Sequence, residues 1–324
     1  MTADVEIEEH LVPGDIAAQM RGDVLAGLGA TPKWLPPKWF YDDAGSALFE
    51  EITRLPEYYP TRAEREILTA RAPAIAAAGD AKTLVELGSG SSEKTLLLLD
   101  ALRAHGSLAR FVPLDVSGGA LREAATRIAG RYPGLEVHGI VGDFTRHLQH
   151  LPMGPGRLIA FLGGTIGNLD PGERAAFLSS VRAVLEPGEA LLLGADLVKD
   201  PATLVAAYDD ATGVTAEFNR NVLRVLNHRL GADFDPAAFD HVAVWDAERE
   251  WIEMRLRSRY AQDVAIPGVG LTVSFAKDED LRTEISAKFR REGLTGELAA
   301  AGFTVGRWWT DAAGRFALAL ALAD

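Results

Sequence analysis

An α/β fold built on an open, mostly parallel sheet is predicted by three features of the sequence. Residues 82–95, K-T-L-V-E-L-G-S-G-S-S-E-K-T, read as strand, tight turn and helix. Thr83, Leu84, Val85 and Leu87 suit a buried parallel strand, while Gly88 and Gly90 allow positive φ and let a ligand approach the backbone. From residue 83 onward, short apolar runs alternate with helix patterns, as crossover connections require. Finally, each predicted strand ends on an acidic or small polar residue: Glu86, Asp115, Asp143, Asn168 and Asp196. In an open α/β sheet these ends share one edge, and ligands bind there.

The elements follow in order. Ile16, Met20, Val24 and Leu28 recur at helical spacing and stop at Gly29. The stretch P-K-W-L-P-P-K-W-F-Y-D is proline-rich and aromatic and predicts an ordered loop. A short helix is expected from Ser46 to Leu55, then a P-E-Y-Y-P turn in which one of Tyr58 and Tyr59 packs and the other faces a cleft. Thr61 and Glu64 read as a capping box at the head of a helix running towards Ala78. Beyond the first strand, R-F-V-P-L-D, L-E-V-H-G-I-V, R-L-I-A-F-L and E-A-L-L-L-G-A-D are strands; Ser117 caps the helix to Arg131, and Asp170, Pro171 and Glu173 open another. After Asp196 the alternation breaks. Helices are expected from Asp200 through Tyr208 and from Val214 to Leu230, followed by a hairpin pairing Ile252–Leu256 with Leu271–Phe275 about P-G-V-G. A loop and helix around Glu284 and Ser286 come next, then a helix from Leu294 to Ala301 and two closing strands joined by D-A-A-G. The sheet domain is thus discontinuous, 61–197 plus 288–324, with 1–60 and 198–287 forming a second lobe.

Composition excludes several classes. The 324 residues are 48% hydrophobic and 24% charged, ordinary for a folded globular chain. A formal charge of -13 argues against nucleic acid, whose binding relies on Lys and Arg. With no cysteine there is no disulfide, thiolate chemistry or cysteine-ligated zinc, and none of the seven histidines falls in an H-E-x-x-H motif; no metal is expected. The acidic N-terminus lacks the features of a secretory signal, and no apolar run approaches the ~18 residues of a membrane span. A cytoplasmic protein without membrane association is the expectation.

Three cofactors compete for the turn at 88–95, and Glu93 separates them. A phosphate loop would align Gly88, Lys94 and Thr95 but needs glycine at 93, where a carboxylate opposes a triphosphate. A dinucleotide fingerprint fits Gly88 and Gly90 and fails at the same position. S-adenosylmethionine carries no phosphate, and Glu86 and Glu93 are compatible with its sulfonium. On this reading Asp115 accepts both ribose hydroxyls, Asp143 accepts the adenine amino group and Phe144 packs on the ring. A lone G-x-G also serves as a plain strand-to-helix connection, and any one strand-end aspartate as a helix cap; their recurrence at one edge favours a ligand.

The stretches P-P-K-W-F-Y-D, L-P-E-Y-Y-P-T-R, E-L-G-S-G-S-S-E-K-T, F-L-G-G-T-I-G-N-L, D-L-V-K-D, A-Y-D-D-A-T-G-V-T-A-E-F-N-R-N and W-W-T-D span nearly the whole chain. Together they resemble the histidine-specific methyltransferases of ergothioneine biosynthesis. The resemblance implies a class I methyltransferase fold, Rossmann-like with a seven-stranded sheet, S-adenosylmethionine as donor and L-histidine as acceptor; beside it stand the expectations of a second, substrate-binding lobe and a monomer. It implies three successive methylations of the α-amine to hercynine. Carried onto this sequence, the donor contacts fall on Gly88, Lys94, Asp115, Asp143 and Phe144. The histidine contacts fall on Tyr58, Asn168 and Tyr208 at the amino-acid end, Glu284 and Ser286 at the imidazole, and Met254 beside the ring. No histidine or cysteine base is evident, so Tyr41, acting through a water, is expected to position the amine.

Overall fold

The computed structural model describes residues 5–11, 13–90, 92 and 94–324. The chain forms two compact units: Met1–Leu11, Pro60–Val198 and Phe289–Asp324 make the first, Val12–Tyr59 and Lys199–Lys288 the second.

The first unit is an eight-stranded sheet. Its spatial order is Val5–Glu9, Glu136–Val141, Arg110–Asp115, Thr83–Leu87, Arg157–Phe161, Ala190–Asp196, Phe316–Ala323 and Phe303–Thr310. The first six strands are parallel, and Phe316–Ala323 runs against both its neighbours. Apolar runs explain the centre: every residue of Thr83–Leu87, Arg157–Phe161 and Ala190–Asp196 is buried, as expected for strands covered by helices on both faces. The eighth strand corrects the expected seven. Val5–Glu9, expected with the rest of 1–60 in the second lobe, pairs in parallel with Glu136–Val141. Its Ile7 lies opposite Gly139, where a Cβ would come within 2.7 Å of Ile7 Cδ1 and 2.6 Å of Leu121 Cδ2, so the glycine makes room for both.

Of the helix starts expected from local chemistry in this unit, one forms as expected; Ser117 stands ahead of Gly118–Arg131, but its side chain makes no capping bond, and its N–H donates instead to Asp115 Oδ1. Asp170 Oδ1 accepts from the Glu173 N–H at 2.8 Å and Glu173 Oε2 accepts from the Asp170 N–H at 2.9 Å, a complete capping box ahead of Pro171–Val184. Asp170→Ala is expected to lower stability by about 1 kcal/mol, seen as a small fall in the thermal midpoint with donor affinity unchanged. The capping box expected of Thr61 and Glu64 does not form. The helix begins at Pro60, which puts Thr61 inside the first turn and frees Glu64 for tertiary contacts.

The second unit contains a four-stranded sheet ordered Lys33–Trp34, Asp280–Ala287, Trp251–Ser258 and Phe239–Asp246, and a separate hairpin of Gln262–Ile266 with Leu271–Phe275. Two sequence expectations are corrected here. The hairpin about Pro267–Gly270 uses 262–266 as its first arm, while Trp251–Ser258 pairs with Phe239–Asp246 and Asp280–Ala287. Residues 280–287 form a strand, not a helix, so Glu284 and Ser286, two apart, share a face. Helices Asp43–Ile52 and Val214–Leu230 pack in the same unit. Asn221 fixes the turn ahead of Asp43–Ile52, its Nδ2 donating to Phe40 O at 3.1 Å and to Asp42 Oδ1 at 2.8 Å. Gly45 is required there, because a Cβ would fall 1.8 Å from Phe40 O. Among the described residues no helix is long and apolar enough to cross a membrane.

Candidate active site

In the sheet unit, the chain runs outward from Thr83–Leu87 to Arg110–Asp115 and Glu136–Val141, then returns to place Arg157–Phe161 on its other side. The carboxyl end of Thr83–Leu87 is therefore the switch point at which open α/β sheets bind ligands. The turn that follows has Gly88 at φ 70° and Gly90 at φ 47°, conformations that side chains resist. Asp115 closes it: Oδ2 accepts from the Gly90 N–H at 2.8 Å and Oδ1 from the Ser117 N–H at 2.8 Å. Desolvation raises the Asp115 carboxyl above its usual range, with the Ser117 and Gly90 bonds opposing. Each oxygen retains a lone pair, which suits a diol.

Beneath the turn, buried Glu86 accepts from Thr95 Oγ1 and, at 2.9 Å, from Ser92 Oγ. Burial pushes its carboxyl up to about 7 despite those bonds. Glu86 thus serves as a structural anchor for the loop. Glu93, the residue that separated the three cofactors, lies outside the described residues. The wider loop still discriminates among them. A phosphate cradle needs free backbone N–H groups and a lysine aimed at the anion, whereas the Gly90 N–H is committed to Asp115 and Lys94 is paired with fully buried Glu64. Among the described residues of the loop, the buried Ser89 Oγ has no hydrogen-bond partner, as expected where a polar ligand completes the site.

Glu64, expected only as half of a capping box, is a second anchor of this turn. Besides Lys94 it holds the Gly163 N–H, which Oε1 accepts at 2.7 Å, and so ties the donor turn to the G-G-T-I-G-N segment that ends at half-buried Asn168. Asp143 sits at the next strand end, where Oδ1 accepts from Thr145 N at 2.8 Å and Thr145 Oγ1 at 2.6 Å. Phe144 stands edge-on to Phe161 and Phe177, with centroids 5.0 and 5.7 Å away. A Cβ at Gly88 would lie 3.9 Å from Phe144 Cε1, so the glycine turn and this ring border the same space. Gly88, Asp115, Asp143 and Phe144 are thereby gathered at adjoining strand ends.

The second unit gathers most of the other candidates. On Asp280–Ala287 and Trp251–Ser258, Glu284 lies directly opposite Met254, and Ser286 opposite Ile252. Ser286 Oγ is 2.7 Å from Tyr208 Oη, and Lys288 Nζ donates to both oxygens, at 2.8 and 2.9 Å. The Lys288 ammonium also sits 4.6 Å from the Tyr208 ring centre. Glu284 is 8% exposed, and burial pushes its carboxyl up to about 7, with the Lys288 charge opposing. Aromatic contacts continue the cluster: Tyr208 to Tyr58 at 6.3 Å, Tyr58 to Phe49 at 6.2 Å, and Phe49 to Tyr41 at 5.7 Å. Tyr41 is 36% exposed and in reach of water. Tyr59 is the packed member of the tyrosine pair, with Lys199 Nζ donating to its hydroxyl at 2.6 Å.

A hydrogen-bond network sets the position of Tyr208. His241 Nε2 lies 2.7 Å from the Tyr208 carbonyl and Nδ1 2.8 Å from Asn219 Nδ2. Since the carbonyl only accepts and the amide nitrogen only donates, the ring is neutral with its proton on Nε2. Burial also lowers the His241 pKa, with the Tyr208 carbonyl opposing. Asn219 Oδ1 accepts from Thr283 Oγ1 at 2.6 Å, which connects this support to the strand carrying Glu284.

The sheet order with its single reversed strand, and a donor turn organised against phosphate, define a class I S-adenosylmethionine-dependent methyltransferase. Residues 20–323 match the family model described as histidine-specific methyltransferase, SAM-dependent. A histidine N-alpha-methyltransferase of Mycolicibacterium smegmatis is 55% identical over 318 residues, 98% of this chain and 99% of that protein. One of Mycobacterium tuberculosis is 56% identical over 317 residues, 98% and 99% of the two chains. Ergothioneine biosynthesis protein 1 of Neurospora crassa is 35% identical over 205 residues, covering 62% of this chain and 23% of that one. The chain belongs to the family of histidine-specific, S-adenosylmethionine-dependent methyltransferases.

Proposed function

We propose that the protein methylates the α-amine of L-histidine three times with S-adenosylmethionine as donor, giving hercynine in the first step of ergothioneine biosynthesis. The observation that carries this reading is the pairing of buried Glu284 and Ser286 on one strand face with Met254 opposite. Two polar groups two residues apart beside an apolar side chain suit a flat ring with polar edges.

Gly88, Lys94, Asp115, Asp143 and Phe144 hold the donor: Asp115 takes the ribose diol, Asp143 the adenine amino group, and Phe144 packs on the base. When bound, the donor supplies an electrophilic methyl carbon on a sulfonium. The protein's own task is alignment and partial desolvation of the amine. Tyr58, Asn168 and Tyr208 hold the amino-acid end, Glu284 and Ser286 the imidazole, and Met254 lies beside the ring. Tyr41 positions the amine through a water, and solvent takes one proton from the nitrogen before each transfer, from the ammonium, the methylammonium and the dimethylammonium in turn. The dimethylammonium formed by the second transfer must lose its last proton before the third, so three protons leave for the three methyl groups gained.

If Asn168 and Tyr208 bind the carboxylate, histamine and histidine amide are poor substrates; either one turning over as fast as histidine would contradict the clamp. The substrate itself is tested by mass spectrometry with labelled donor and a panel of competing amino acids and amines. Histidine is expected to take the label preferentially and to end trimethylated. Preference for another amine would move the substrate assignment, and the absence of S-adenosylhomocysteine with every acceptor would contradict catalysis.

A further inference from the structure

Lys288 has no place in the acceptor contacts described above, yet it is 4% exposed and donates to two of them. A buried ammonium is retained only where its charge is compensated and its protons are placed. Here the compensation comes from the oxygens of Tyr208 and Ser286, from the Tyr208 ring face and from nearby Glu284. An ammonium donates and never accepts, so it occupies one lone pair on each hydroxyl. Ser286 has one proton and two lone pairs. Lys288 takes one lone pair, and the 2.7 Å contact with Tyr208 takes either the other lone pair or the proton. What Ser286 can offer a ligand is then one donor or one acceptor, never both.

We infer that Lys288 is a positioning residue for the acceptor: it fixes the Tyr208 and Ser286 hydroxyls and so limits Ser286 to a single hydrogen bond of one polarity towards the acceptor's ring beside Glu284. The inference rests on the histidine reading of this site. Without Lys288, Ser286 recovers a lone pair and freedom to rotate, and it presents a mixture of polarities. Discrimination between ring edges then weakens, because it depends on leaving the wrong partner unpaired.

A double-mutant cycle between Lys288→Met and Ser286→Ala tests the inference, with kcat and KM for histidine measured separately and donor affinity measured by calorimetry. Lys288→Met is expected to lower kcat/KM for histidine by about 10- to 100-fold, mostly through KM, with donor affinity unchanged. Ser286→Ala is expected to cost about tenfold in the wild-type background and about threefold or less beside Lys288→Met. Lys288→Arg, which keeps charge and donors, is expected to recover much of the loss. Additive substitutions would overturn the role, as would an equal loss of donor affinity. Should Lys288→Met fail to fold, Lys288→Gln takes its place in the cycle under the same criteria. A wild type that leaves histidine unmethylated would overturn the substrate reading and this inference with it, whereas an active wild type with additive effects would overturn the inference alone.

Discussion

Replacing Glu284 by leucine is expected to reduce kcat/KM for histidine by two to three orders of magnitude while leaving donor affinity within about twofold. Glu284 is buried opposite Met254, and its proposed partner is a ring N–H. Losing a hydrogen bond to a charged group costs about 1.5–3 kcal/mol, and stranding the ring N–H in an apolar site adds to that. The same change removes the penalty against a phenyl ring, so the gap between histidine and phenylalanine or tryptophan should narrow from both sides. The measurement is kcat/KM for these amino acids in wild type and Glu284→Leu; an undiminished preference for histidine in a folded variant would remove Glu284 from the recognition site. A pH dependence follows from its carboxyl being pushed up to about 7. An acceptor role needs the ionised form, so kcat/KM should rise through about pH 7, and Glu284→Gln should lose that limb. Burial of this group also means that folding takes up a proton between the ordinary carboxyl range and about pH 7, so this part of stability falls as pH rises through that window.

Asp115→Ala is expected to weaken S-adenosylmethionine binding by two to four orders of magnitude in calorimetry. The substitution removes the proposed acceptor for the ribose diol and also releases the Gly90 and Ser117 N–H groups that Oδ2 and Oδ1 hold. Two charged hydrogen bonds to ligand at about 1.5–3 kcal/mol each set the scale, and the loosened turn adds to it. Unchanged donor affinity in a folded variant would contradict the assignment. Asp115→Asn separates the two effects: it keeps one acceptor oxygen and should lie between wild type and alanine.

The parts of the fold legible in the sequence are those specified locally. Continuous apolar runs marked Thr83–Leu87 and Ala190–Asp196 as buried parallel strands, and Asp170 with Glu173 announced a helix start because both partners lie within one turn. Glu64 illustrates the opposite case. T-x-x-E is a local signature, but the side chain's partners, Lys94 and Gly163, lie 30 and 99 residues away, and only the tertiary fold brings them to it. The strand Asp280–Ala287 was misread for a related reason. It buries polar groups on both faces, Glu284 and Ser286 on one and Thr283 with Asn219 on the other, so apolar alternation cannot show. Lys288 escaped notice because a lysine two residues from a serine carries no signal until Tyr208, on a distant helix, completes the triangle. Val5–Glu9 is a short edge strand whose glutamates masked its pairing.

The central claim is that this chain methylates the α-nitrogen of histidine to completion. It is tested most directly by incubating the protein with L-histidine and S-adenosylmethionine bearing a ¹³C-labelled methyl group, and recording the carbon-resolved proton spectrum of the product. The account predicts one labelled trimethylammonium signal on the α-carbon's nitrogen, equivalent to three methyl groups, with both imidazole nitrogens unlabelled. Label on a ring nitrogen, or a product that stops at one methyl group with donor in excess, would contradict it.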